Sequence, residues 1–174
     1  VSVTLDTAAK GVFTSASLTS SGFVDAGGGV YTFSGTAAQS QVAIRQLAFD
    51  PTDNRVNPGS TETTTFTISI SDGVASAVLD AITTVIATSV NDAPTIGGAS
   101  AGQTTNDEAN VSPFTSVTIA DADSAQTVSV SVALDTAAKG VFTPASLSAS
   151  GFVSAGGGVY TFSGTAAQAQ TAIR

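Results

Sequence analysis

Thr64-Thr65-Phe66-Thr67-Ile68-Ser69-Ile70-Ser71-Asp72-Gly73 is the stretch that decides the fold class. Thr64, Phe66, Ile68 and Ile70 occupy alternate positions, with Thr65, Thr67 and Ser69 between them. That is the period of a strand with one face on a core and the other toward solvent. Ser71-Asp72-Gly73 reads as a tight turn closing the strand, because Asp and Gly supply the local hydrogen bond and the backbone freedom a turn needs. Residues 78–90 follow as a long run rich in Val, Ile and Thr, a second strand. The run stops at Val90-Asn91-Asp92-Ala93-Pro94-Thr95, where the proline removes a backbone donor and holds Ala93 extended, so the strand leaves its sheet there.

Everything before this hinge has a counterpart after it. Leu5-Asp6-Thr7-Ala8-Ala9-Lys10-Gly11-Val12-Phe13-Thr14 recurs 129 positions later as residues 134–143, and over residues 1–45 and 130–174 only 7 of 45 positions differ. The differences are Thr4/Ala133, Ser15/Pro144, Thr19/Ser148, Ser20/Ala149, Asp25/Ser154, Ser40/Ala169 and Val42/Thr171. Near-identity at a fixed period is the mark of tandem modules. The expected division is 1–92, the C-terminal part of one repeat, and 93–174, the N-terminal part of the next.

Within a copy, residues 1–5 and 30–34 alternate as strands, Asp6 to Ala9 makes a turn, and Gly27-Gly28-Gly29 fits a hairpin loop. The triple glycine leads into Val-Tyr-Thr-Phe rather than into a helix N-terminus, so a phosphate cradle is not expected. Thr36 to Arg45, rich in Ala and Gln, predicts one short helix per repeat, capped by Thr36, with Ala38, Val42 and Leu47 toward the core. After the hinge, residues 115–120 and 127–134 read as strands joined by the turn Asp121-Ala122-Asp123-Ser124. Many short strands with frequent turns predict an all-β sandwich.

The composition narrows the function classes. Thirteen acidic against five basic residues give a net charge of −8, which disfavours nucleic acid and anionic membrane surfaces and favours cations. Cys and His are both absent, which removes thiolate and imidazole chemistry and the usual zinc sites. No apolar run approaches the roughly 18 residues of a membrane span. Lys10 and Lys139 repeat at equivalent places beside a turn, which suits a solvated lysine better than a nucleophile, and no enzyme is expected. Asn110-Val111-Ser112 is formally a glycosylation sequon.

The run from Thr65 to Gly73, the long strand after it and Asn91-Asp92-Ala93-Pro94 resemble the cadherin-like, immunoglobulin-like repeats of giant bacterial surface adhesins. The resemblance implies a Greek-key β-sandwich in an extracellular, cell-surface or secreted protein. It also implies calcium, with Glu108 similar to the carboxylate near the first strand, Asp121 and Asp123 to the D-x-D turn, and Asn91 and Asp92 to the linker pair. Asp72, at the end of the strongest strand, is a further candidate ligand. Ser89 stands where that family carries an acidic residue, and no Asp-Arg-Glu element is present. Calcium takes six to eight oxygen ligands, which carboxylates, amides and backbone carbonyls in such loops supply. Against this, Asp and Asn also populate turns for their local hydrogen bonds alone.

The expected function is a structural repeat of a long adhesin or surface fibre, partnered by neighbouring repeats or copies of itself, with calcium stiffening the junctions. A glycan- or protein-binding module of a secreted protein, using a loop such as residues 50–59, is the alternative. Because the two parts would each hold only some strands of a period, the expectation is either that this segment is a window on a longer chain or that its incomplete modules are completed by strands of neighbouring copies.

Overall fold

The computed structural model describes residues 1–174, and these separate into two compact units, Val1–Val90 and Asn91–Arg174. The chain is β-rich, with antiparallel sheets and a few short helices. No helix is long and apolar enough to cross a membrane.

The first unit runs β1 (Ser2–Leu5), a 3-10 turn (Ala8–Lys10), β2 (Gly11–Phe13), α1 (Ser15–Ser21), β3 (Val24–Gly27), β4 (Val30–Thr32), α2 (Ala37–Ile44), β5 (Phe49–Pro51), β6 (Thr61–Ile70) and β7 (Val78–Thr88). Five strands form one sheet in the order β3-β4-β1-β6-β7, while β2 and β5 make a separate two-stranded ribbon. The register sets Leu5 opposite Phe66 and Val3 opposite Ile68 on one side of β1, and Val3 opposite Tyr31 on the other. One sheet face therefore presents Val3, Leu5, Tyr31 and Phe66, and these are buried with Phe13 of the ribbon, Phe23 and Ala43 of α2. Phe13 lies edge-on to Tyr31 at 4.8 Å between ring centres and stacks on Phe66 at 5.7 Å, while Phe49 meets Phe66 edge-on at 5.0 Å. Such pairs add about 0.5–1.5 kcal/mol each beyond the area they bury.

The alternation in β6 holds through Thr64, Phe66 and Ile68 and fails at Ile70, which is 45% exposed. Between Phe66 and Ile68 the β6–β7 register slips, because Phe66 pairs with Thr83 but Ile68 with Asp80. Two residues of β7, Ala81 and Ile82, thus oppose Thr67 alone. Such a bulge bends and twists the ribbon, and the Asp80 carboxylate braces it by accepting from the Ile82 N–H at 2.9 Å. The far end, with Ile70 and Val78, lies outside the core.

Each copy of the repeat contains two α-helices rather than one. In α1, Thr14 accepts from the Ser17 N–H, and Gly22 at φ +73 closes the C-terminus by donating to the Leu18 carbonyl. In α2, Thr36 and Gln39 form a reciprocal capping box. The buried face of α2 consists of Ser40 and Ala43, with Ile44 packed against the core, whereas Ala38 and Val42 are exposed. The triple glycine is the tip between β3 and β4, with φ values of +84, +63 and +78 that side chains rarely adopt.

The second unit runs β8 (Thr95–Gly97), β9 (Thr118–Ala120), β10 (Val128–Ala133), a 3-10 turn (Ala137–Lys139), α3 (Pro144–Ser150), β11 (Val153–Gly156), β12 (Val159–Gly164) and α4 (Ala166–Ala172). Its sheets are β10-β12-β11 and β8-β9. Val117, Ile119, Val128, Phe152, Tyr160, Ala169, Ala172 and Ile173 form its core. The Gln170 side chain fastens β9 to α4, accepting from the Ile119 N–H at 2.6 Å and donating to the Val117 carbonyl at 3.0 Å.

Candidate metal site

Strands β8 and β9 run antiparallel with Thr95 opposite Ala120. The residues just before Thr95 are thereby carried beside those just after Ala120, so the Asn91-Asp92 pair meets the turn that starts at Asp121. The Asp92 N–H donates to Asp123 Oδ2 at 2.8 Å. Within the turn, the Asp123 N–H donates to Asp121 Oδ1 at 3.0 Å. Asn91 Nδ2 donates to the Asp92 carbonyl at 2.9 Å, and Gln126 Nε2 donates to Asn91 Oδ1 at 2.6 Å.

Each of these carboxylates has one oxygen so engaged and one without a donor. Asp121 Oδ2 and Asp123 Oδ1 are buried and accept no hydrogen bond, and Asp123 as a whole is only 8% exposed. Anionic oxygens removed from water without partners are costly, and burying them is favourable only when a cation or donor meets them. The turn itself is held against preference: Ala125 has φ +56, a left-handed conformation uncommon for a residue with a Cβ. Hard oxygen donors of this kind fit calcium, whereas soft-metal chemistry has no ligands here.

Four of the six candidate ligands are therefore gathered in one place: Asn91, Asp92, Asp121 and Asp123. Glu108 lies exposed on the turn at 106–109, where its N–H donates to Asn106 Oδ1 at 3.2 Å, and no hydrogen bond ties it to the Asp121 turn. Asp72 belongs to the first unit and serves its own turn, Oδ1 accepting from the Val74 and Ala75 N–H groups at 3.0 Å each. Those two donors hold its carboxyl below the usual carboxylate range. No three acidic side chains converge as a metal cluster, so an ion at Asp121 and Asp123 would complete its shell from amide oxygens, backbone carbonyls and water. Gln126, which fixes Asn91, carries no signature of its own; its position three residues beyond Asp123 was the available signal.

Compared with known proteins, the chain matches no family model, no curated protein and no solved structure.

Proposed function

We propose that this chain is a structural repeat segment of a long extracellular fibre or adhesin, built from immunoglobulin-like, cadherin-like Greek-key modules whose junctions calcium stiffens. The near-identical repeat supports the array. The observation that carries the calcium is the pair of buried, donorless oxygens, Asp121 Oδ2 and Asp123 Oδ1, beside the Asp92 backbone. Calcium shared by Asp121 and Asp123 would neutralise that buried charge and hold the Asn91-Asp92 segment to the turn. The ion's role is to restrain, and the chain's own groups orient the segment through the Asp92 N–H and the Gln126–Asn91 amide bond.

The test is thermal unfolding in calcium and in chelator, with isothermal titration for stoichiometry. Calcium at about a hundred times its Kd should add about 2.7 kcal/mol to the second unit. The variants D121N and D123N should lose that increment and be more stable than the parent in chelator, since a buried unpaired charge is removed. Equal melting temperatures in calcium and chelator would refute the calcium reading. For the array, small-angle scattering of the chain should show a longer, narrower distance distribution with calcium than with chelator.

A further inference from the structure

The side chains gathered at the Asp121 turn are not in equivalent states. Asp121 and Asp123 each keep one buried oxygen without a donor, Oδ2 and Oδ1 respectively. The Asn91 amide is committed at both ends instead, with Oδ1 accepting from Gln126 Nε2 at 2.6 Å and Nδ2 donating to the Asp92 carbonyl at 2.9 Å. A hard cation is held by oxygens that turn to it rather than to donors of the protein. By that measure the two aspartates are poised as ligands, and the asparagine belongs to what holds them in place.

The bonds around the turn form a continuous relay. Gln126 is half-buried and follows Ala125, whose φ of +56 turns the backbone just before it. Its side chain reaches back 35 positions to Asn91. A carboxamide presents an oxygen on one side and an NH2 group on the other, and by donating to the oxygen Gln126 selects the orientation in which the Asn91 nitrogen faces the Asp92 carbonyl. Asp92 is then held from its carbonyl side by Asn91, while its N–H donates to Asp123 Oδ2 at 2.8 Å. The Asp123 N–H in turn donates to Asp121 Oδ1 at 3.0 Å. Each carboxylate is thus fixed by one oxygen, and the oxygen left without a donor is the other one. At Asp123, only 8% exposed, that arrangement is removed from water.

We propose that Gln126 and Asn91 are positioning residues of the cation site. Gln126 acts through the Asn91 amide and the Asp92 backbone to hold the Asp123 carboxylate by Oδ2, which leaves Oδ1 for the ion, and Asn91 is not itself a ligand. The inference rests on the calcium reading above and deepens it, because it sorts the gathered residues into two ligands, Asp121 and Asp123, and a relay that orients them. Every group involved lies between residues 91 and 126, within the second unit. Partners that orient metal ligands from behind in this way typically carry about ten- to a hundredfold in metal affinity.

The experiment uses the full chain, with calcium chloride titrated calorimetrically into the parent, Gln126→Ala, Asn91→Ala and the double variant. Each single substitution should weaken calcium about ten- to a hundredfold. The double variant should bind no more weakly than the weaker single, because both changes break the same relay and residues acting through one another do not add. In chelator the melting temperature of Gln126→Ala should stay within about 2 °C of the parent, since only one exposed hydrogen bond is lost. The Asp92 amide proton, held downfield by its carboxylate acceptor, should move upfield in both single variants in chelator, a change that general loss of stability does not produce. No calcium binding by the parent would overturn the calcium reading and this assignment with it. Parent-like affinity in Gln126→Ala would overturn the assignment alone, as would losses that add in the double variant, the result expected of an Asn91 that ligates on its own. An Asp92 amide resonance unmoved in Gln126→Ala would overturn it without reference to any ion.

Discussion

At Phe66 the side chain is almost fully buried and touches two other rings, Phe13 and Phe49. Phe66→Ala should therefore cost about 3–5 kcal/mol in urea unfolding, the range for removing a core ring that its surroundings cannot refill. Ile70→Ala, at the exposed end beyond the bulge, should stay within about 0.5 kcal/mol, as surface substitutions do. Equal losses would place the bulge elsewhere. The period-two pattern made Thr64, Phe66 and Ile68 legible as core. It could not show Ile70 leaving, since the slip between Phe66 and Ile68 depends on which β7 residues lie opposite, and the β6 sequence does not encode them. At the candidate site, Asp121, Asp123 and the Asn91-Asp92 pair were legible as oxygen-bearing turn residues. What a sequence cannot carry is that the pairing of β8 with β9 buries one oxygen of each Asp without a donor.

Helices show a different balance of local and distant causes. The spacing of Thr36 and Gln39 is a capping-box signature, and the structure realises both of its bonds, with Thr36 N donating to Gln39 Oε1 at 2.9 Å. Thr36→Ala should lower stability by about 1 kcal/mol, and Thr36→Ser by much less, measured by urea unfolding. Helix α1 is written in Ser and Thr, which favour caps and turns over helix interiors, so its apolar periodicity is too weak to see. Only its Thr14 cap and Gly22 stop were available as signals. Ala38 and Val42 fit a helical spacing yet face solvent, since on so short a helix the choice of face belongs to whatever packs there. From the loop between β5 and β6, Arg55 grips Glu62 on β6 through two bonds, Nε–Oε2 at 2.8 Å and Nη2–Oε1 at 3.1 Å. That fork holds the Glu62 carboxyl below its usual range. A depressed folded-state value means the contribution is complete above the ordinary glutamate range and is lost as pH falls through the lower folded value. The difference in melting temperature between the parent and Glu62→Gln should thus be largest near neutrality and vanish in acid. A difference that grows on acidification would contradict the bidentate pair.

For the whole molecule the repeat sets a limit on what any local pattern can reveal. Lys10-Gly11-Val12-Phe13-Thr14 and Lys139-Gly140-Val141-Phe142-Thr143 are the same five residues, yet only the first contains a strand. The difference is made by residues far along the chain: β5 pairs with β2, and the Thr14 N–H reaches the Ala48 carbonyl at 2.9 Å. Tertiary partners override propensity in such short segments. Because the two pentapeptides have the same side chains and the same preceding residue, alanine, their amides exchange at nearly the same rate when unstructured, and a difference in the folded chain reports the structure around them. Native-state hydrogen exchange should therefore find residues 11–14 protected and residues 140–143 exchanging at least about tenfold faster, in keeping with local openings that cost little where backbone groups face solvent. Equal protection of the two segments would mean that the second has a partner strand of its own, and that its local order does not depend on a β5-like segment.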